Sequence, residues 1–525
     1  MGRKRRLRLI RLPAAQVGTM SQFDTASRNH ESNNPRIVNM QQESLKNKTV
    51  KGTLWSAADS FLGHGVTFFV GIILARLLSP DEYGLIGICL ICNTVLNGIV
   101  DSGFSSAIIR KKEASEDDYN TMFITNMVVS ILLYFILFLC TPIIADFFGR
   151  NELVSLIRVT GSVLIINALS ITQTTILTKR IDFKTKTKAS IISAVVSGVI
   201  GIAMAYYGFG VWALAGQLIS KQLLYTCCLW ILNKWWPNLH FSIDSFKYMW
   251  GFGWKILVSG LLNNIWEQIY QVVVGKFYNP ATLGQYTRGR QFASIFSENF
   301  TVIIKRVSYP VLANIQDDTA RMVAAYRKVI KVSMFVTVIT LFSLGAVAEP
   351  LLYTLIGDQW HEAAVFLPFI CISMSLYPLH ALNLNMLQVQ GRSDVFLYLE
   401  IIKKIISIGP ICLGIFVGIK AMLIGSIVTG VISFFLNSYY TGKELQYSSW
   451  MQIKDVSISF LIATILAVSV YFLKYLSMPY WTILISQIVL GSGMLLLICE
   501  LCKVEEYLEI KRIAVGMLNK HKRFE

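Results

Sequence analysis

Charge is what this sequence has least of. Asp, Glu, Lys and Arg make up 15% of its 525 residues, while 54% are hydrophobic. A soluble protein of that length could not cover so much apolar surface, so a water-soluble enzyme is excluded. A Walker A sequence is missing, which argues against direct drive by ATP. Alternation of apolar and polar residues is also missing from the apolar runs, which argues against a membrane β-barrel. Cysteine is sparse, and all nine lie in or at the edge of apolar runs. Two pairs, Cys89/Cys92 and Cys499/Cys502, have CxxC spacing but no nearby His or second pair. They read as small packing residues, not as a zinc site, and no disulfide framework is expected.

What the chain does have is long apolar runs. About 20 mostly apolar residues span the hydrocarbon core as a helix. Fourteen candidate spans follow: 54–75, 84–109, 122–144, 153–177, 189–207, 211–232, 252–275, 284–313, 329–348, 363–388, 395–416, 420–440, 456–476 and 480–502. The eighth carries Arg288, Arg290, Glu298, Lys305 and Arg306, so it cannot face lipid all round.

A repeat organises these runs. Arg76-Leu77-Leu78-Ser79-Pro80-Asp81-Glu82-Tyr83-Gly84 returns 200 positions later as Lys276-Phe277-Tyr278-Asn279-Pro280-Ala281-Thr282-Leu283-Gly284. Both copies read basic, apolar, apolar, small polar, Pro, two spacers, apolar, Gly. Arg180-Ile181-Asp182 has a later counterpart in Arg392-Ser393-Asp394. Each unit holds six spans, and an even number gives both copies one orientation. The expected fold is therefore an all-α membrane protein of about 14 transmembrane helices. Two six-helix lobes are related by a pseudo-twofold axis along the membrane normal, and two extra helices follow. The boundaries expected are a first lobe at 40–232, a linker at 233–251, a second lobe at 252–440, the last two helices at 441–502 and a tail at 503–525. Residues 1–39 form a basic leader without a signal-peptide cleavage site, expected to be disordered and to precede a true start at Met40 or Met20.

The formal net charge of +17 is not read as nucleic-acid binding. Loops after even-numbered spans hold most loop Lys and Arg, including Arg110-Lys111-Lys112 and the stretch Lys179 to Lys188, which is the positive-inside asymmetry. Both termini are then cytoplasmic, and the basic loops contact anionic lipid headgroups. Trp212, Trp235, Trp236, Trp250, Trp360 and Trp481 fall at span ends and fit interfacial belts, with Trp235 and Trp236 anchoring the linker to the membrane surface.

Charged and amide side chains inside spans are the functional candidates, because they are costly there. In the seventh span Asn264, Glu267, Gln268 and Gln271 share one helical face, with Lys255 nearer the span's start. That face is a cavity wall or an interhelical hydrogen-bond seam. Arg288 and Arg290 suit a pyrophosphate through bidentate bonds, unless they snorkel to the headgroups. Their 100° per-residue offset lets at most one point squarely at a cavity. Asp59, His64 and Asp101 are candidates for ion coupling, and Asn93, Asn97 and Asp101 form a stripe on the second span. His380, Asn383 and Gln388 lie in the tenth span, and Glu400 is placed to pair with Lys404 at i, i+4.

Gly52-Thr53-Leu54-Trp55-Ser56 followed by the stretch Gly71 to Gly87 resembles Wzx-type polysaccharide flippases of the multidrug/oligosaccharidyl-lipid/polysaccharide superfamily. The resemblance covers roughly 41–502 and is nearest the colanic-acid and teichuronic-acid exporters. It implies a two-lobed, fourteen-helix transporter of the bacterial inner membrane. The implied cargo is a polyprenyl-pyrophosphate-linked oligosaccharide, bound for lipopolysaccharide, capsule or exopolysaccharide. Alternating access driven by a proton or sodium gradient is implied too, with polymerase or export machinery as a partner and no cofactor or metal. A lipid II flippase and a cation-coupled multidrug exporter share the architecture. A membrane-embedded polymerase or ligase is the enzyme alternative, but such enzymes carry a long outward loop, and the corresponding gap here, near 349–362, is short.

Overall fold

The computed structural model describes residues 63–521 apart from Gln316. The leader, Asp59 and the side chain of His64 lie outside the described residues. The first lobe comprises α1 (His64–Leu77), α2 (Pro80–Asp101), α3 (Phe104–Arg110), α4 (Glu116–Phe148), α5 (Glu152–Gly161), α6 (Val163–Lys179), α7 (Phe183–Tyr206) and α8 (Val211–Asn233). The second comprises α9 (Ile243–Phe277), α10 (Pro280–Ala313), α11 (Thr319–Ala346), α12 (Ala348–Ile356), α13 (His361–Ser375), α14 (Tyr377–Val389), α15 (Ser393–Ile406), α16 (Ile408–Phe416) and α17 (Ile419–Leu445). Beyond them come α18 (Ser449–Tyr471), α19 (Tyr480–Leu501) and α20 (Glu505–His521). Counting α2/α3, α5/α6, α11/α12, α13/α14 and α15/α16 as single broken passes gives fourteen up to α19, six in each lobe. Nine helices among the described residues are long and apolar enough to cross a membrane. Their outer faces stay apolar, as with Ile131, Leu132, Phe135 and Leu139 on α4, which suits a hydrocarbon solvent.

Each position of the nine-residue repeat has a structural job. The small polar residue is an N-cap: Ser79 Oγ accepts from the Glu82 N–H, and Glu82 returns a carboxylate to the Ser79 N–H at 2.6 Å. Asn279 Oδ1 accepts from the Thr282 N–H at 2.7 Å. Such caps contribute about 1 kcal/mol each. Pro80 and Pro280 are the first residues of α2 and α10, where a missing N–H costs nothing. The glycines make the crossing. A Cβ on Gly84 would collide with the Pro280 carbonyl, and one on Gly284 with the Pro80 carbonyl. The repeat therefore meets its own copy on the pseudo-twofold axis, and this end of the molecule is called the motif end. The opposite end, with Arg110 and Lys179, is the basic end.

Several elements differ from the sequence reading. The stretch Lys179 to Lys188 is mostly helix: Asp182 caps α7 by accepting from the Thr185 N–H at 3.1 Å, so the lysines after Phe183 ride on its first turns. Much of the expected linker is helical too, since α9 starts at Ile243. At 35 residues α9 is about 52 Å long and exceeds the hydrocarbon thickness. The gap at 349–362 holds α12 and a wedge whose Trp360 is fully buried, its Nε1–H donating to Ala75 O at 2.9 Å. Trp360 is thus no belt residue. Neither is Trp235, which is buried and donates to Glu116 Oε2 at 2.9 Å. Glu400 pairs with Lys403, one residue short of the expected Lys404.

Candidate functional site

The crossing of α2 and α10 makes the roof of a cavity between the lobes. Its volume is about 450 Å³, and α1, α2 and α8 face α9 and α10 across it. A second cavity, about 540 Å³, lies inside the other lobe between α9, α10, α13, α14 and α17. Arg290 and Glu298 line both, so the two spaces adjoin.

Two positions along α10, about 200° around its axis, separate the jobs of its arginines. Arg288 is buried in the roof, 6% exposed. Its guanidinium donates to Gly71 O of the first lobe at 3.0 Å and to Gln291 Oε1 at 2.5 Å. It also lies 4.1 Å from the centre of the Tyr83 ring, and Tyr83 stands edge-on to Trp360. A desolvated cation–π contact is worth about 2 kcal/mol. Arg290 is only half-buried, and its one described hydrogen bond is to the backbone carbonyl of Glu267 at 3.2 Å. It stands within electrostatic reach of Glu298 and has no carboxylate ion pair among the described residues.

Facing it from α8 is Lys221, whose Nζ has one described hydrogen bond, to Thr67 Oγ1 at 3.4 Å. Lys221 was not singled out in the sequence. The signal was there, because Gln217 sits four residues before it and lines the same wall, so the pair marks a polar face on an apolar span.

The structure disperses the other candidates. Gln271 lines the inter-lobe cavity and donates to Gln268 at 2.7 Å. Glu267 lines the second-lobe cavity and accepts from Asn263 at 2.9 Å. Asn264 abuts α2, where a Cβ on Gly98 would strike its amide nitrogen. Lys255 is exposed on the basic half of α9 and lines none of these spaces. His380 lines the second-lobe cavity, 3.4 Å from Asn437. The stripe on α2 turns away from the inter-lobe cavity: Asn93 bonds Thr160 O, Asn97 accepts from Asn167 at 2.7 Å, and Asp101 lines a space of about 310 Å³ within the first lobe.

The roof is fastened by the basic residue of each repeat. Arg76 donates to Thr354 O and Leu355 O, in the last turn of α12 of the other lobe. Lys276 donates to Phe147 O, in the last turn of α4 of the first lobe, at 2.5 Å. Each cation thus caps the negative end of a helix in the opposite lobe. Gln359 adds a bond to Ala75 O at 2.8 Å.

Comparison with known proteins places this arrangement. The family model described as polysaccharide biosynthesis protein matches residues 73–365. The succinoglycan biosynthesis transport protein ExoT of Rhizobium meliloti is 24% identical over 72% of this chain and 77% of its own length. The teichuronic acid biosynthesis protein TuaB of Bacillus subtilis is 25% identical over 68% and 74%. The lipopolysaccharide biosynthesis protein WzxC of Escherichia coli is 22% identical over 78% and 84%. Among solved structures, lipid II flippase MurJ in an inward closed conformation superposes with a TM-score of 0.68. It covers 86% of this chain and 98% of that one at 15% identity, a likeness of fold alone.

Proposed function

Because the chain belongs to the polysaccharide biosynthesis protein family, we propose that it is a flippase for a polyprenyl-pyrophosphate-linked oligosaccharide. It carries this cargo by alternating access from the cytoplasmic to the outer leaflet of the bacterial inner membrane. The motif end is the outer face and the basic end the cytoplasmic one, in keeping with the bias of Lys and Arg. The observation that carries the reading is the pair of cations, Arg290 and Lys221, that face one inter-lobe cavity from opposite lobes without a carboxylate ion pair among the described residues.

A pyrophosphate cannot cross hydrocarbon unaided, since each unsatisfied polar group costs several kcal/mol. Arg290 offers a planar fork and Lys221 a point charge, a combination suited to adjoining phosphates. Glycan hydroxyls would meet Gln217, Gln271 and Gln291, which line the same space. Glu298, which lines the same space, keeps the site from being uniformly cationic, so cargo can leave as well as enter. A proton or sodium gradient supplies the drive, and a polymerase or export complex receives the product.

Deleting the gene tests the function. Lipid-linked oligosaccharide should accumulate on the cytoplasmic face, assigned with a non-permeant labelling enzyme, and surface glycan should fall. Complementation with Arg290→Ala or Lys221→Ala should restore less than a tenth of wild-type export at equal protein level. Normal turnover of these lipids in the deletion strain would reject the reading in favour of drug or ion exchange. Accumulation on the outer face would favour a polymerase or ligase.

A further inference from the structure

Internal symmetry exposes a place where the lobes differ. With the repeat offset of 200, Asp101 at the end of α2 corresponds to Thr301 in α10. There α10 runs on unbroken to Ala313, and Thr301 bonds Ser297 O like any buried helical threonine. In the first lobe the same pass breaks. Ser102 (φ 49°) and Gly103 (φ 70°) are both left-handed, and α3 restarts at Phe104. A non-glycine residue in that conformation costs about 1–2 kcal/mol, so the break opposes local preference.

The break sets the negative end of the α2 dipole near a carboxylate, although Ile99 O is taken by the N–H and hydroxyl of Ser102 and Ser102 O faces α9. Asp101 accepts from Ser105 Oγ at 2.5 Å, and Ser105 in turn accepts from Thr175 Oγ1 at 2.9 Å. Among the described residues no lysine or arginine is paired with this carboxylate, whose side-chain partner is Ser105. The group lines the first-lobe space of about 310 Å³ with Asn167, Ser170, Thr174 and Thr178. Capping α3 would need no such space. A carboxylate and several hydroxyls are hard oxygen donors with one negative charge to balance. That set suits a monovalent cation and is too weakly charged for calcium.

We propose that the first lobe binds one sodium ion beside the break between α2 and α3, held by the Asp101 carboxylate and the hydroxyls of Ser105, Thr174 and Thr178. The proposal deepens the transport reading and rests on it, because it names where the driving gradient acts. The break is also where the lobes touch. A Cβ on Gly103 would lie 2.8 Å from Gly253 O of α9, and one on Gly253 would lie 2.7 Å from Ser102 O. Occupancy of the break changes the surface on which α9 is seated, which connects the ion to lobe movement.

The test is equilibrium binding of radioactive sodium to the purified full-length protein. One saturable equivalent per chain is expected, displaced by unlabelled sodium but not by tenfold choline or potassium. Asp101→Asn should abolish binding, Ser105→Ala should weaken it about tenfold, and the exposed Asp244→Asn should leave it intact. Should Asp101→Asn fail to fold, Ser105→Ala and a sodium-dependent rise in the wild-type melting temperature carry the test. A wild-type protein without saturable sodium, full binding by Asp101→Asn, or a response to pH alone would overturn the site. If sodium fails to bind while Arg290→Ala still causes cytoplasmic-face accumulation, the site is refuted and the flippase reading stands.

Discussion

At the scale of single residues, two arginines two positions apart have opposite duties. Arg290 keeps its guanidinium available to a cavity, whereas Arg288 spends its own on Gly71 O, Gln291 and the face of Tyr83. The 100° offset between successive helical residues foretold that only one would aim squarely at a cavity. Which one depends on what α1 and α2 bring to the roof, and local sequence does not carry that. Arg288→Lys retains charge but cannot both lie flat on Tyr83 and reach Gly71 O. It should loosen the roof. A cysteine at Gln217, in the wall beneath it, should then react several-fold faster with a maleimide that cannot cross the membrane, added from the outer face. An unchanged rate would remove Arg288 from the gate. Lys221 shows the reverse problem of legibility. A lone lysine in an apolar span carries little signal, and its meaning comes from the lobe that faces it.

At the scale of elements, the repeat was the most legible feature, and the reason is chemical. Caps, a first-turn proline and a crossing glycine are local devices with fixed residue preferences, so they survive as a readable pattern in both copies. The break in the second pass was not read, because Ser102-Gly103 lies within one span-length stretch, 84–109, and its left-handed turn is held by tertiary contact with Gly253. The wedge at Trp360 was likewise hidden, since a tryptophan at a span end has the same local signature whether it meets lipid or Ala75 O. The basic residue of the repeat yields a prediction at this scale. Arg76 and Lys276 hold the roof through bonds worth about 0.5 kcal/mol each at exposed helix ends. Losing both should shift the balance of closed and open roofs roughly fivefold, about 1 kcal/mol. Arg76→Ala with Lys276→Ala should accelerate labelling of the Gln217→Cys reporter accordingly, and each single change should give about half the effect in free energy. Equal labelling in all three variants would mean that the crossing glycines hold the roof unaided.

At the scale of the whole molecule, the two ends are built differently. The motif end is sealed by both copies of one motif packed across the pseudo-twofold axis, with a cation from each lobe fastened to the other. Toward the basic end the contact described between the lobes runs through α9. Its early turns dock on the first lobe through Trp250 against Phe104 and through the Ser242 N–H on Thr121 Oγ1 at 3.0 Å. Its last turns meet both lobes, with Val273 and Val274 buried and Gly275 between Leu283 of α10 and Phe148 of α4. One helix in contact with both bodies would serve as a strap for rocking, and the packed glycines and cation bonds of the motif end would part opposite it. Alternating access then has a definite signature. Spin labels at Tyr207 and Val417, exposed residues beside the α7–α8 and α16–α17 turns, report the motif end. Labels at Glu113 and Asn314, exposed in the α3–α4 and α10–α11 turns, report the basic end. In proteoliposomes with lipid-linked oligosaccharide and an imposed cation gradient, the first distance should lengthen as the second shortens, within one population. Arg288→Lys should bias both distances the same way without cargo. Distances that change independently, or a motif end that stays shut while cargo crosses, would rule out rigid rocking about α9.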